Sequence, residues 1–139
     1  MSTHLKEKEE KILQILERLA EESAKGTPII VEGKKDIETL RAIGIEGKII
    51  SAKTGGKTLL DVISEMENIG AREVILLFDF DRRGKEWTKR IKQQLERAGT
   101  KPNITFWREL LTIVGKEVKD IEGLTAYMET LNRKLSDST

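Results

Sequence analysis

The sequence contains no cysteine, a single histidine and only two prolines, and aromatic residues make up 4% of its 139 positions. Without cysteine there are no disulfides, no thiol nucleophile and no thiolate-held zinc or iron–sulfur centre. The lone histidine, His4, sits beside the N-terminus and leaves no histidine metal site or Ser-His triad to build. With so few aromatics, the core has to be aliphatic. No apolar run approaches the ~20 residues of a membrane span, and the charged N-terminus has no signal-peptide core. A soluble, cytoplasmic protein with no membrane contact is expected. Excess charge of one sign is also missing. Lys and Arg total 25 against 24 Asp and Glu, a net of +1, so overall charge indicates no partner.

Charged residues nevertheless reach 35%, against roughly 25% in ordinary soluble domains. High Lys and Glu content without cysteine fits a thermophile. The length suits one domain, and dense apolar clusters with small net charge argue against disorder.

Residues 4–25 read as a helix through Ile12, Leu13, Leu16, Leu19 and Ala20, and Gly26-Thr27-Pro28 ends it. Ile29-Ile30-Val31 is a short β-branched strand that closes in Glu32-Gly33. A helix over 34–43, a strand over 48–52 and a loop at Lys53-Thr54-Gly55-Gly56 follow. Leu59, Val62, Ile63, Met66 and Ile69 mark the next helix, which stops at Gly70. Val74-Ile75-Leu76-Leu77-Phe78 is the most apolar stretch and the expected central strand. A helix over 83–98, a strand over 103–107, one or two helical turns at 108–114 and a last helix capped by Asp120 complete the chain. This alternation predicts an α/β domain: a four-stranded parallel sheet in the order 2-1-3-4, with helices on both faces. In such sheets ligands gather at the C-terminal strand ends.

Those ends carry acid. Glu32 follows the first strand, and Asp79 and Asp81 follow the third. Asp79 and Asp81 stand two apart, so in extended backbone both point the same way. Carboxylates so close repel unless a cation lies between them. With only oxygen donors available, that cation is hard: Mg²⁺, or Mn²⁺ in its place. The plainer alternatives are a dipole-favoured carboxylate for Glu32 and a helix cap for either Asp. Positive charge is close at hand. From Arg82 to Arg108 there are nine Lys or Arg and two Glu, a local +7 against −6 for the rest of the chain. Arg82, Arg83 and Lys85 open a helix beside the acidic pair and are candidates for phosphate binding. Lys34, Lys53 and Lys57, in the turns at the same sheet end, are further candidates. A solvated helix face is the alternative for Lys89 and Lys92.

Two partial motifs compete with this reading. Gly55-Gly56-Lys57-Thr58 looks like the end of a P-loop, but Ser51 stands where the motif's first glycine belongs. Phe78-Asp79-Phe80-Asp81 looks like the nucleophile motif of a haloacid-dehalogenase-type phosphatase. There the Asp pair normally follows the first strand, and here it follows the third.

Taken in order, Ile29-Ile30-Val31-Glu32-Gly33-Lys34-Lys35-Asp36 and Leu76-Leu77-Phe78-Asp79-Phe80-Asp81-Arg82-Arg83-Gly84 resemble the Toprim domain of type IA and type II topoisomerases, bacterial-type primases and several nucleases. The resemblance implies a three-layer, Rossmann-like Toprim fold over residues 26–135, preceded by an N-terminal helix over 1–25 packed on it and followed by a disordered tail at 136–139. A small stand-alone protein of archaeal type is implied. In that family the Glu is held to be a general acid/base and the two Asp to bind Mg²⁺. Glu32 takes the first role and Asp79 and Asp81 the second, with Glu32 a possible third ligand. Gly33 would permit the tight turn, Asp36 matches an acidic position that often follows, and Gly84 falls three residues after Asp81. Lys119-Asp120 resembles a Lys-Asp pair found in primases, although Asp120 also reads as a plain helix cap. The only tyrosine, Tyr127, lies in an apolar helix seam, and neither a zinc module nor a polymerase fold fits. What is left is Mg²⁺-dependent phosphodiester chemistry on RNA or DNA, most simply a small nuclease. The alternative is a non-catalytic nucleic-acid-binding or partner module that keeps the metal site. A homodimer or larger nucleic-acid-processing complex is expected to supply the clamp that so small a chain lacks.

Overall fold

A computed structural model describes residues 2–137. In chain order the elements are α1 (Ser2–Ala24), β1 (Ile29–Val31), α2 (Lys34–Ala42), β2 (Ile49–Ser51), a 3-10 turn (Thr54–Gly56), α3 (Leu59–Ile69), β3 (Glu73–Leu77), α4 (Arg82–Arg97), β4 (Lys101–Asn103), α5 (Thr105–Val114) and α6 (Ile121–Asp137). All strand pairs are parallel and the sheet order is β2-β1-β3-β4, as adjacency of the first and third strands requires. In the register, Val31 of β1 lies between Ser51 and Leu77, so β1, β2 and β3 finish level.

β1 is apolar throughout, and β2 and β3 are apolar but for Ser51 and Glu73, because both sheet faces are covered there. Ile29, Val31, Ile49, Ile75 and Leu77 face one core, shared with Ile12, Ile15 and Leu19 of α1, Leu40 of α2, Leu110 of α5 and Leu124 of α6. Ile30, Ile50, Val74, Leu76 and Phe78 face the other, closed by Val62 and Met66 of α3 and Ile91 and Leu95 of α4. The result is three layers; Ile12, Ile15 and Leu19 of α1 are buried in the first core, while Leu13 is 46% exposed. No described helix is long and apolar enough to cross a membrane.

Three expectations need correction. The fourth strand covers Lys101–Asn103 rather than 103–107. Asn103 Oδ1 accepts the Thr105 N–H at 2.9 Å, and α5 starts there, with Phe106, Trp107, Leu110 and Val114 on its buried face. As an edge strand, β4 tolerates Pro102. At the C-terminus, Ser136 and Asp137 belong to α6 rather than to a disordered tail; 138 and 139 lie outside the described residues. At β3 the extended backbone stops at Leu77. Phe78 then joins the α3/α4 core and Phe80 the opposite one. In an extended strand, residues two apart would share a face, so the chain has turned between them.

Candidate metal centre and phosphate face

Glu32 leaves the end of β1 as a buried carboxylate, 6% exposed. Its Oε1 accepts the Asp79 N–H at 3.2 Å and its Oε2 accepts Lys53 Nζ at 2.8 Å. Below it the β1–β2 pairing continues: the Glu32 carbonyl accepts the Lys53 N–H and the Ser51 hydroxyl, each at 3.1 Å. Sheet register therefore delivers Glu32 to Asp79 across 47 residues of sequence.

Asp79 is half-buried directly after β3. Burial, then the charges of Glu32, Asp36 and Asp120, then a hydrogen bond with Glu32, push its carboxyl up to about 7. Asp36 is also held above the usual carboxylate range. Burial is the main cause, the Gly33 N–H opposes it, and Asp120, Glu32 and Glu122 add to it. Glu32, Asp36, Asp79 and Asp120 thus crowd the C-terminal edge of the sheet, with Glu122 beside Asp36.

The backbone around Asp79 is fixed from two sides. The Trp107 indole N–H donates to the Phe78 carbonyl at 3.0 Å and lies 3.4 Å from that of Asp79, and the Phe80 N–H donates to the Lys119 carbonyl. A Cβ on Gly84 would stand 2.0 Å from the Asp79 carbonyl oxygen. Only glycine lets the first turn of α4 lie this close.

The other sequence candidates divide by position. Asp81 does not face the same way as Asp79. It is exposed and caps α4, with Oδ1 accepting the Gly84 N–H at 2.8 Å. Asp120 is a cap as well, its Oδ1 accepting the Gly123 N–H at 2.6 Å, and its charge still bears on Asp79. Lys119 contributes its backbone carbonyl, while its side chain is exposed. Asp36 closes back on the Gly33 N–H at 3.1 Å. Gly33 has φ −135°, and a Cβ there would meet nothing within 4 Å; the turn does not require glycine, contrary to expectation. Arg82, 95% exposed by side chain, lies 3.5 Å from Glu86; Arg83, Lys85 and Lys34 are exposed. Lys57 pairs with Glu65 at 2.7 Å and donates to the Ser51 carbonyl. The P-loop look-alike around it is a turn with Gly55 and Gly56 at positive φ, ended by Thr58, whose side chain caps α3. Lys53, expected only as a phosphate contact, is instead the ion-pair partner of Glu32. Trp107 has no sequence signal for this role, because its segment reads as a strand.

The donors suit a hard divalent cation in kind, being carboxylate oxygens gathered under mutual repulsion. They are not preassembled. Among the described residues no three His, Cys, Asp or Glu side chains stand as a ready ligand set. Asp81 is engaged by its cap and Glu32 by Lys53.

A parallel sheet in this order, with acidic residues leaving adjacent first and third strands and a basic helix behind them, defines a Toprim domain. A family model described as the Toprim domain matches residues 26–106, and the chain belongs to that family. Among curated proteins it is 41% identical over 120 residues to a UPF0292 protein of Methanocaldococcus jannaschii, covering 86% of this chain and 91% of that protein. A UPF0292 protein of Pyrococcus furiosus is 39% identical over 125 residues, covering 88% and 87%, and one of Archaeoglobus fulgidus 33% over 119, covering 86% and 90%. These small relatives are archaeal. Among solved structures, a protein from Aquifex aeolicus superposes with a TM-score of 0.67 at 28% identity, over 78% of this chain and 94% of that one. Toprim domains typically bind divalent metal, and membership indicates a metal-dependent role connected with nucleic acid.

Proposed function

We propose that the acidic edge hydrolyses phosphodiester bonds in RNA or DNA, with Mg²⁺ as cofactor and Mn²⁺ able to replace it. The observation that carries this reading is the contact of the buried Glu32 carboxylate with Asp79 across β1 and β3. Asp79 and Glu32 would hold the cation, joined by Asp81 once its cap bond to Gly84 is released. The ion would stabilise the charge that develops on the phosphoryl oxygens. The alternative role of Glu32 is to take or give the proton at the attacking water or the leaving oxygen, in which case Asp79 and Asp81 alone would hold the cation. Arg82, Arg83 and Lys85, exposed on the first turn of α4, would bind the flanking phosphates, with Lys34 at the start of α2 nearby. A second copy of the chain, or a larger nucleic-acid-processing complex, would clamp the strand from the open side.

A binding module without catalysis is the second reading. It is favoured by the engagement of Asp81 as a cap and of Glu32 with Lys53. The two are separated by incubating the protein with labelled single- and double-stranded RNA and DNA in Mg²⁺, Mn²⁺ or EDTA. The nuclease gives metal-dependent cleavage, and Glu32→Gln slows it by roughly 10²–10⁴-fold while nucleic-acid binding persists. Binding without cleavage under every condition selects the module.

A further inference from the structure

Both oxygens of the Glu32 carboxylate are engaged, one by a fixed backbone N–H and the other by a lysine on a flexible stem. The Asp79 N–H cannot withdraw without moving the end of β3, which Trp107 ties down. Lys53 can withdraw. Its side chain is 31% exposed against 8% for Glu32, and its ammonium already lies 5.3 Å from the centre of the Trp87 ring, a surface that holds a cation by itself.

We propose that Lys53 is the built-in counter-cation of Glu32, and that a divalent cation entering the site must displace it. This rests on the metal reading given above. Lys53 is here a positioning residue. Without metal it compensates a buried charge that would be costly alone and holds Glu32 toward Asp79. When metal takes Glu32 Oε2, the ammonium is released at the edge of the site, where it becomes available to a phosphate oxygen.

The test compares Mn²⁺ binding by titration calorimetry, and thermal unfolding with Mn²⁺ or EDTA, in wild type, Lys53→Met and Asp79→Asn. Removing a competing unit charge at ion-pair distance should tighten Mn²⁺ binding by roughly tenfold or more in Lys53→Met. In EDTA this variant should melt below wild type, and Mn²⁺ should raise its melting temperature by more than it raises that of wild type. If Lys53→Met binds Mn²⁺ no better than wild type, while Asp79→Asn loses binding, the displacement is overturned and the metal site stands. If neither wild type nor Lys53→Met takes up Mn²⁺, or Asp79→Asn leaves uptake unchanged, the metal reading itself fails. Where Lys53→Met is too unstable to titrate, Lys53→Arg decides. A guanidinium pairs more firmly with a carboxylate, so Mn²⁺ affinity should fall, and a rise would overturn the proposal.

Discussion

Gly84→Ala perturbs the point where α4 meets the acidic edge. The added Cβ would lie 2.0 Å from the Asp79 carbonyl oxygen, 2.5 Å from its carbon and 2.9 Å from Asp79 Cα. All three are backbone atoms, and that backbone is tied by Trp107 and Lys119. Moving the Cβ–oxygen distance from 2.0 Å to the 3.4 Å of ordinary contact means a retreat of about 1.4 Å by the first turn of α4. Overpacking of this kind costs about 1–3 kcal/mol. The retreat also stretches the Asp81 cap, worth about 1 kcal/mol. Better helix propensity returns up to ~1 kcal/mol. The net loss of about 1–3 kcal/mol should lower the melting temperature by roughly 4–12 °C in a domain of this size. Circular dichroism melts in EDTA measure it, with Gly33→Ala as the companion. There a Cβ meets nothing within 4 Å, and the change should cost no more than the roughly 1 kcal/mol of a poorer N-cap. A Gly84→Ala protein as stable as wild type would refute the close seating of α4 on Asp79.

Other consequences are also measurable. Asp79, pushed from an ordinary 3.8 to about 7, favours the fold when protonated. Its contribution is complete below about pH 4 and is lost as the pH rises through about 7. The metal-free protein should weaken across that window, and Asp79→Asn should remove this part of the loss. The variant's melting temperature relative to wild type should then climb from pH 5 to pH 8; parallel profiles would contradict the burial and charge crowding described. Nucleic-acid binding should fall far more for Arg82→Glu with Arg83→Glu than for Lys25→Glu with Lys48→Glu, which make the same charge change at the opposite sheet edge. Each lost phosphate contact should reduce the salt slope by roughly 0.7–0.9. Equal effects from the two pairs would misplace the binding face.

The three main strands were legible because β-branched runs bounded by turns have few alternatives, and their order followed from bringing Glu32 to Asp79. The strand expected at 103–107 failed through competition between two signals. Ile104, Thr105, Phe106 and Trp107 favour strands by type, but Phe106, Trp107, Leu110 and Val114 repeat at helical spacing, and burial of that face decided. Alternation would put Asp79 and Asp81 on one face only if β3 ran on through both, and it ends at Leu77. Gly33 and Gly84 look alike in sequence; only the approach of α4 to Asp79 tells which one is required. The pairing of Lys53 with Glu32 depends on β1–β2 register and has no local signature.

The carboxylate caps at the acidic edge are local, but the bonds that join its separate elements are long in sequence. Asp79 reaches Glu32 over 47 residues, Trp107 reaches Phe78 over 29, and Lys53 reaches Glu32 over 21. Contacts of such separation slow folding, because loop closure has to be overcome before they form. A partly folded chain therefore keeps its carboxylates apart and escapes their repulsion until β1 and β3 are side by side. A cation that recognises the assembled edge binds only the finished molecule. Its free energy then adds to global stability by mass action and does nothing to guide the earlier steps.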